Sequence, residues 1–97
     1  MSLILNEFIE VLQPRAAGSI RGTARLVVNG EGSVMLDEHG ARQGDGPADI
    51  VLQASEAVFR AIMDGSQNPV MAFMSGKLKV EGSTQRALKV SAILTGA

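Results

Sequence analysis

Apolar residues at positions 4, 5, 8, 9, 11 and 12 recur three and four apart, so residues 3–12 read as one face of a short helix whose end Pro14 sets. Residues 14–19 then read as a linker. In 20–28 the period falls to two: Ala24, Leu26 and Val28 share one face, with Thr23, Arg25 and Val27 on the other, which predicts a strand. Asn29-Gly30-Glu31-Gly32 turns the chain into a second strand over 33–37, with Val34 and Leu36 inward. This is the clearest hairpin signal, because an Asn-Gly step tolerates the positive φ that a reversal needs. After the turn Glu38-His39-Gly40, residues 41–44 predict a short third strand, and Asp45-Gly46-Pro47 breaks it. A fourth strand follows over 48–54, with Ile50, Leu52 and Ala54 on one face.

At Ser55 the period changes to about 3.6, and Val58, Phe59, Ile62 and Met63 form the stripe of a helix that Ser55 caps and Gly65 ends. Asn68-Pro69 opens another, since Asn caps and Pro sits where no intrahelical N–H is required. This helix, through Met74, is apolar nearly all round, so it must be covered on several sides or expose a patch with a purpose. Residues 77–82 alternate as a strand with Leu78 and Val80 on one face, and Ser83 caps a last helix over 84–95. The order predicts an α+β fold of four or five strands with helices mainly on one side, in a single domain over 1–97: a short N-terminal helix and linker over 1–19, then sheet and helical layer over 20–95.

With 97 residues there is room for one core only. Phe8, Phe59 and Phe73 are the only aromatic residues, so Leu, Ile, Val, Ala and Met must fill it. A Met-rich interior suits loose packing or a variable apolar guest. The formal charge of −1, with six Arg and three Lys spread along the chain, offers no field for nucleic acid. The absence of cysteine excludes disulfides, thiolate chemistry and Cys-based zinc sites. No leader or spanning segment is expected, and the C-terminal Thr95-Gly96-Ala97 is not a peroxisomal address, so the expected compartment is the cytoplasm.

No constellation recommends catalysis. His39 is the one histidine, in a polar turn beside Asp37 and Glu38, and adjacent residues there lack metal-ligand spacing. Ser55, Ser75 and Ser83 read as caps or turns, without the spacing of a nucleophile elbow. Asp45 and Asp49 flank a Gly-Pro turn and read as solvated. The expectation is therefore no catalytic residue, no metal and no cofactor. What stands out is the apolar excess of the later helices, where Val58, Phe59, Ile62, Met63, Val70, Met71, Phe73, Met74, Val90, Ile93 and Leu94 face a sheet of short strands. They either fill the core or wall a cavity between helices and sheet, and periodicity does not distinguish full from hollow.

The run from Asn68 through Phe73 and Ser75-Gly76-Lys77-Leu78-Lys79 to Gly82 closely resembles the signature segment of the sterol carrier protein type two family. Residues 44–52, the helix over 55–65 and the early strand at Gly22-Thr23-Ala24-Arg25-Leu26 resemble that family in the same order, so the likeness spans 20–94. The resemblance implies an open, mainly antiparallel sheet of about five strands covered on one side by helices, with a hydrophobic cavity for sterols, fatty acyl chains, acyl-CoA or phospholipids. It implies transfer or presentation of lipid without conversion. By matched position Phe59, Ile62 and Met63 would line one helical wall. Phe73 and Met74 would lie near the connection to the final strand, joined in the expected binding set by Met71 of the same helix. Ala87, Leu88, Val90 and Leu94 would shape a C-terminal lid.

Two departures from the family pattern matter. Only a short helix precedes Pro14, and Gln85-Arg86 stands where a Gly and a small apolar residue commonly open the last helix. Arg86 at the mouth would pair with an acidic headgroup, or lay its stem on the surface with its head in water. The competing reading is an interaction module without a ligand, forming a homodimer or docking to a lipid-metabolising enzyme through the helix at 70–74.

Overall fold

The computed structural model describes residues 3–96; Met1, Ser2 and Ala97, the last residue of the C-terminal tripeptide, lie outside the described residues. Helix α1 (Leu3–Ala16) presents Leu5, Phe8, Leu12 and Ala16 to the interior at spacings of three and four. Pro14 was expected to end this helix, yet the helix runs two residues beyond it. Pro14 can give no N–H to the carbonyl four residues back. The last turn is held instead by the burial of Ala16 and by Arg15, which donates to two distant carbonyls.

Strands β1 (Ala24–Val28), β2 (Gly32–Asp37), β3 (Gly40–Gln43), β4 (Ile50–Ala54) and β5 (Lys79–Glu81) form one sheet in the order β3-β2-β1-β4-β5. Three pairings are antiparallel, and β1 lies parallel to β4 with Ala24 opposite Ile50. The sheet is thus open, mixed and mainly antiparallel. The first strand starts four residues later than the alternation suggested, because Gly22 adopts φ +75° and breaks the extended run. Ala24, Leu26, Val28, Val34, Leu36, Ile50, Leu52 and Ala54 face inward and are buried, as the period of two requires.

Helices α2 (Glu56–Asp64), α3 (Pro69–Met74) and α4 (Thr84–Leu94) carry the caps read from the sequence. The Ser55 hydroxyl accepts from the Val58 N–H at 3.2 Å, Asn68 Oδ1 accepts from Val70 and Met71, and Ser83 accepts from Arg86. Gly65 ends α2 in the left-handed conformation at φ +86°. The inner sheet face, α1, α2, Ala72, Leu78 and α4 share one core, in which Phe8 and Phe59 meet edge to face with ring centres 6.2 Å apart.

Both ends of the sheet are managed differently. At β3 the Gln13 side chain imitates a neighbouring strand: its amide donates to the His39 carbonyl at 3.0 Å and its oxygen accepts from the Ala41 N–H at 2.7 Å. Since β3 and β4 run the same way with β2 and β1 between them, residues 44–49 must cross the outer face. Arg25 holds that crossing by donating to the Asp45 and Gly46 carbonyls at 3.1 and 3.0 Å. Met35, which points outward opposite Arg25, is thereby buried outside the main core.

Candidate functional site

Arg86, Lys89, Val90 and Ile93 lie at i, i+3, i+4 and i+7, so they form one face of α4. That face stands opposite residues 19–23 and the first residues of β1 and β4, and the space between is a groove of about 430 Å³. Its floor is apolar: Ile20, Ala24, Ile50 and Val90 are buried and Ile93 is half-buried. Its rim carries Arg21, Arg86 and Lys89, with Ser19 and Thr23 as hydroxyl groups.

The rim is ordered by one carboxylate. Asp49 accepts from the Thr23 N–H at 3.1 Å and lies 3.9 Å from Arg86, which also donates to the Arg21 carbonyl at 3.0 Å. These bonds hold Arg86 across the mouth while about half of its side chain stays open to water. Gly22 makes the approach feasible, since a Cβ there would meet the Asp49 carboxylate and stand 2.8 Å from Arg86 Nη2. Three cations against one carboxylate leave the rim net positive. An apolar trough with a cationic edge is chemically suited to an amphiphile whose head is an anion.

A second groove of about 440 Å³ runs along β5, between Phe73, Gly76 and Leu78 on one side and Val51 and Gln53 of the outer sheet face on the other. Lys79 and Glu81 both border it, so it has no single charge.

The structure distributes the expected binding residues unevenly. Val90 and Arg86 meet in the α4 groove, and Phe73 borders the β5 groove. Phe59, Ile62, Met63, Ala87 and Leu94 are buried in the closed core and Leu88 is half-buried, and none of them lines either groove. The five buried ones belong to the one core cluster that joins α1, α2 and α4 to the inner sheet face. Met71 and Met74 depart furthest from the expectation of cavity walls: they are 61% and 75% exposed and line neither groove. The reason is that α3 spends its buried side on Ala72 and Phe73, leaving the arc through residues 70, 71 and 74 outward.

Ile20, Ala24, Ile50, Arg21 and Lys89 were not anticipated as lining. The α4 half was expected in part, Val90 and Arg86 through the family resemblance. The other half was not, because 20–23 read as strand and its proximity to α4 depends on sheet order. His39 is exposed in its turn, 3.6 Å from Glu38, and among the described residues no group of three or more acidic or imidazole side chains is placed to hold a metal ion. Among them, too, no helix is long and apolar enough to cross a membrane.

The family model described as the SCP-2 sterol transfer family matches residues 6–95. Hydroxysteroid dehydrogenase-like protein 2 of Xenopus tropicalis is 34% identical over 92 residues, covering 87% of this chain and 22% of that protein. The chain thus spans about a fifth of the length of such curated relatives. Among solved structures, the apo form of sterol carrier protein 2 from Yarrowia lipolytica is similar at a TM-score of 0.70 and 29% identity, over 99% of this chain and 90% of that one. Sterol carrier protein 2 of Aedes aegypti, solved in complex with palmitate, shares the fold at a TM-score of 0.75 and 17% identity, over 97% and 96% of the two chains.

Proposed function

This chain belongs to the SCP-2 sterol transfer family, and from that premise we propose that it binds a lipid-like amphiphile with an anionic head, a fatty acyl chain above all, and transfers or presents it unchanged. The observation that carries this reading is the α4 groove, where the apolar floor of Ile20, Ile50 and Val90 adjoins the cations Arg21, Arg86 and Lys89.

Magnitudes say why both halves matter. Burying an eight-carbon segment contributes about 6 kcal/mol before ordering costs. Micromolar affinity requires about 8 kcal/mol. Charge-assisted hydrogen bonds at about 1.5–3 kcal/mol each supply the difference, reduced at this open rim by water and salt. A free carboxylate should therefore bind more tightly than the matching alcohol or methyl ester.

Titration with a fluorescent fatty acid, followed by displacement with decanoate or decanol, tests the reading. Saturable binding, preference for the acid, and at least fivefold weakening in Lys89→Glu and Arg86→Glu are expected. Native mass spectrometry should find co-purified acyl lipid. No saturable binding, together with no bound lipid, would end the proposal.

Supported by the matched segment's place within longer dehydrogenase-like proteins, the reading extends to handing the ligand to a lipid-metabolising partner. Handover by collision predicts that the transfer rate of a labelled acyl chain rises with acceptor concentration, and a flat dependence would leave only passive release.

A further inference from the structure

Among the described residues five large hydrophobic side chains are strongly exposed, and three of them, Val70, Met71 and Met74, sit on the six-residue helix α3. At 100° per residue they fall within one arc of about 100°, opposite the buried Ala72. The helix is firmly mounted: Asn68 caps it, and the Lys77 and Leu78 N–H groups both donate to the Ala72 carbonyl, at 2.9 and 3.1 Å. The apolar arc is thus presented on a fixed support.

Along the segment that carries the arc the charge has one sign. From Gly65 to Val80 there is no Asp or Glu, while Lys77 and Lys79 follow the helix directly and are both exposed, in a chain whose formal charge is −1. The first carboxylates on either side are Asp64 and Glu81. A stable protein interface buries at least about 1,200 Å² in total, more than three side chains on a six-residue helix provide. A bilayer accepts side chains singly, through apolar insertion plus attraction of lysines to anionic headgroups. Flexible, unbranched Met suits such a fluid partner.

We infer that α3 with Lys77 and Lys79 is a docking surface for an anionic phospholipid bilayer, with Val70, Met71 and Met74 entering the interface. Its purpose rests on the lipid-binding reading above, because a carrier must meet the surface it loads from.

The chain has no tryptophan, so Met74→Trp supplies a single reporter, and Val11→Trp on the exposed side of α1 supplies a reporter off the patch. Each is mixed with vesicles of phosphatidylcholine and phosphatidylglycerol in equal parts, or of phosphatidylcholine alone. The Met74→Trp emission should shift to the blue and be quenched by brominated acyl chains in the anionic vesicles. Affinity for phosphatidylcholine alone should be lower by about fivefold per lysine, roughly 25-fold in all, and Lys77→Gln with Lys79→Gln should remove that preference. Val11→Trp should stay unshifted.

Three results would overturn the inference: an unshifted Met74→Trp; a shift at Val11→Trp instead; or a Met74→Trp shift that needs no vesicles and grows with protein concentration, which would assign the patch to a second copy. Fatty acid titration without vesicles separates the two proposals. Ligand uptake without docking overturns this one alone, while docking without ligand uptake supports it and overturns the groove.

Discussion

Arg15 Nη1 donates to the Leu94 carbonyl at 2.6 Å, joining the last turn of α1 to the last turn of α4 across 79 residues of sequence. It also reaches the Met63 carbonyl in α2 at 3.1 Å. Helix C-termini leave carbonyls without intrahelical partners and carry partial negative charge, so one guanidinium satisfies two such ends. Arg15→Ala should lower stability by about 1–3 kcal/mol, which in a domain this size is a fall in Tm of about 4–8 °C per kcal/mol. Thermal unfolding checks this, and an unchanged Tm would show that the contact carries no net energy.

Pro14 lies exposed inside α1 and interrupts its hydrogen bonding. Pro14→Ala restores the missing N–H and removes the ring, against a smaller penalty from a freer unfolded chain. A net gain of about 1–2 kcal/mol is expected. Urea unfolding with an unchanged m-value would register it, and a loss would mean that the proline sets the path into residues 17–23.

Gly22→Ala puts a side chain on a left-handed residue, at a cost of about 1–2 kcal/mol, and pushes against Arg86 and Asp49. Affinity for a fatty acid should fall by more than the stability loss alone explains, because the groove rim is displaced. Measuring both Tm and affinity separates the effects, and a stable variant with full affinity would argue against the rim's part in binding.

Acid sensitivity should trace in part to Asp37. The Arg42 guanidinium, hydrogen-bonded at 2.5 Å, and the His39 N–H hold this carboxyl below the usual range. A depressed native pKa means that ionised Asp37 favours the folded state. That contribution is complete above the unfolded carboxylate range near pH 4 and disappears as pH falls through the native value. Asp37→Asn should therefore lose less than about 1 kcal/mol at neutral pH and nothing in strong acid. Stability curves of the two proteins that stay parallel over pH 2 to 7 would contradict this.

Much of the fold is local and was legible. Ser55, Asn68 and Ser83 cap their helices whatever surrounds them, because the hydroxyl or amide oxygen reaches N–H groups two or three residues away. Leu26, Leu36 and Leu52 point inward because side chains alternate along a strand. Arg86 and Val90, expected at the site through the family resemblance, lie four apart and so share one face of α4.

The amino-acid order by itself determined the sequence of helices and strands, which of their faces are apolar, and the family to which the chain belongs. Tertiary structure decided what stands opposite each face. The parallel pairing of β1 with β4 sets Ala24 beside Ile50, and so brings residues 19–23 next to α4 and opens a groove there. The same packing buries Phe59 and Ile62 and leaves Met71 and Met74 exposed. Periodicity reports the direction of a side chain, whereas filling depends on partners tens of residues away whose separation no local pattern encodes.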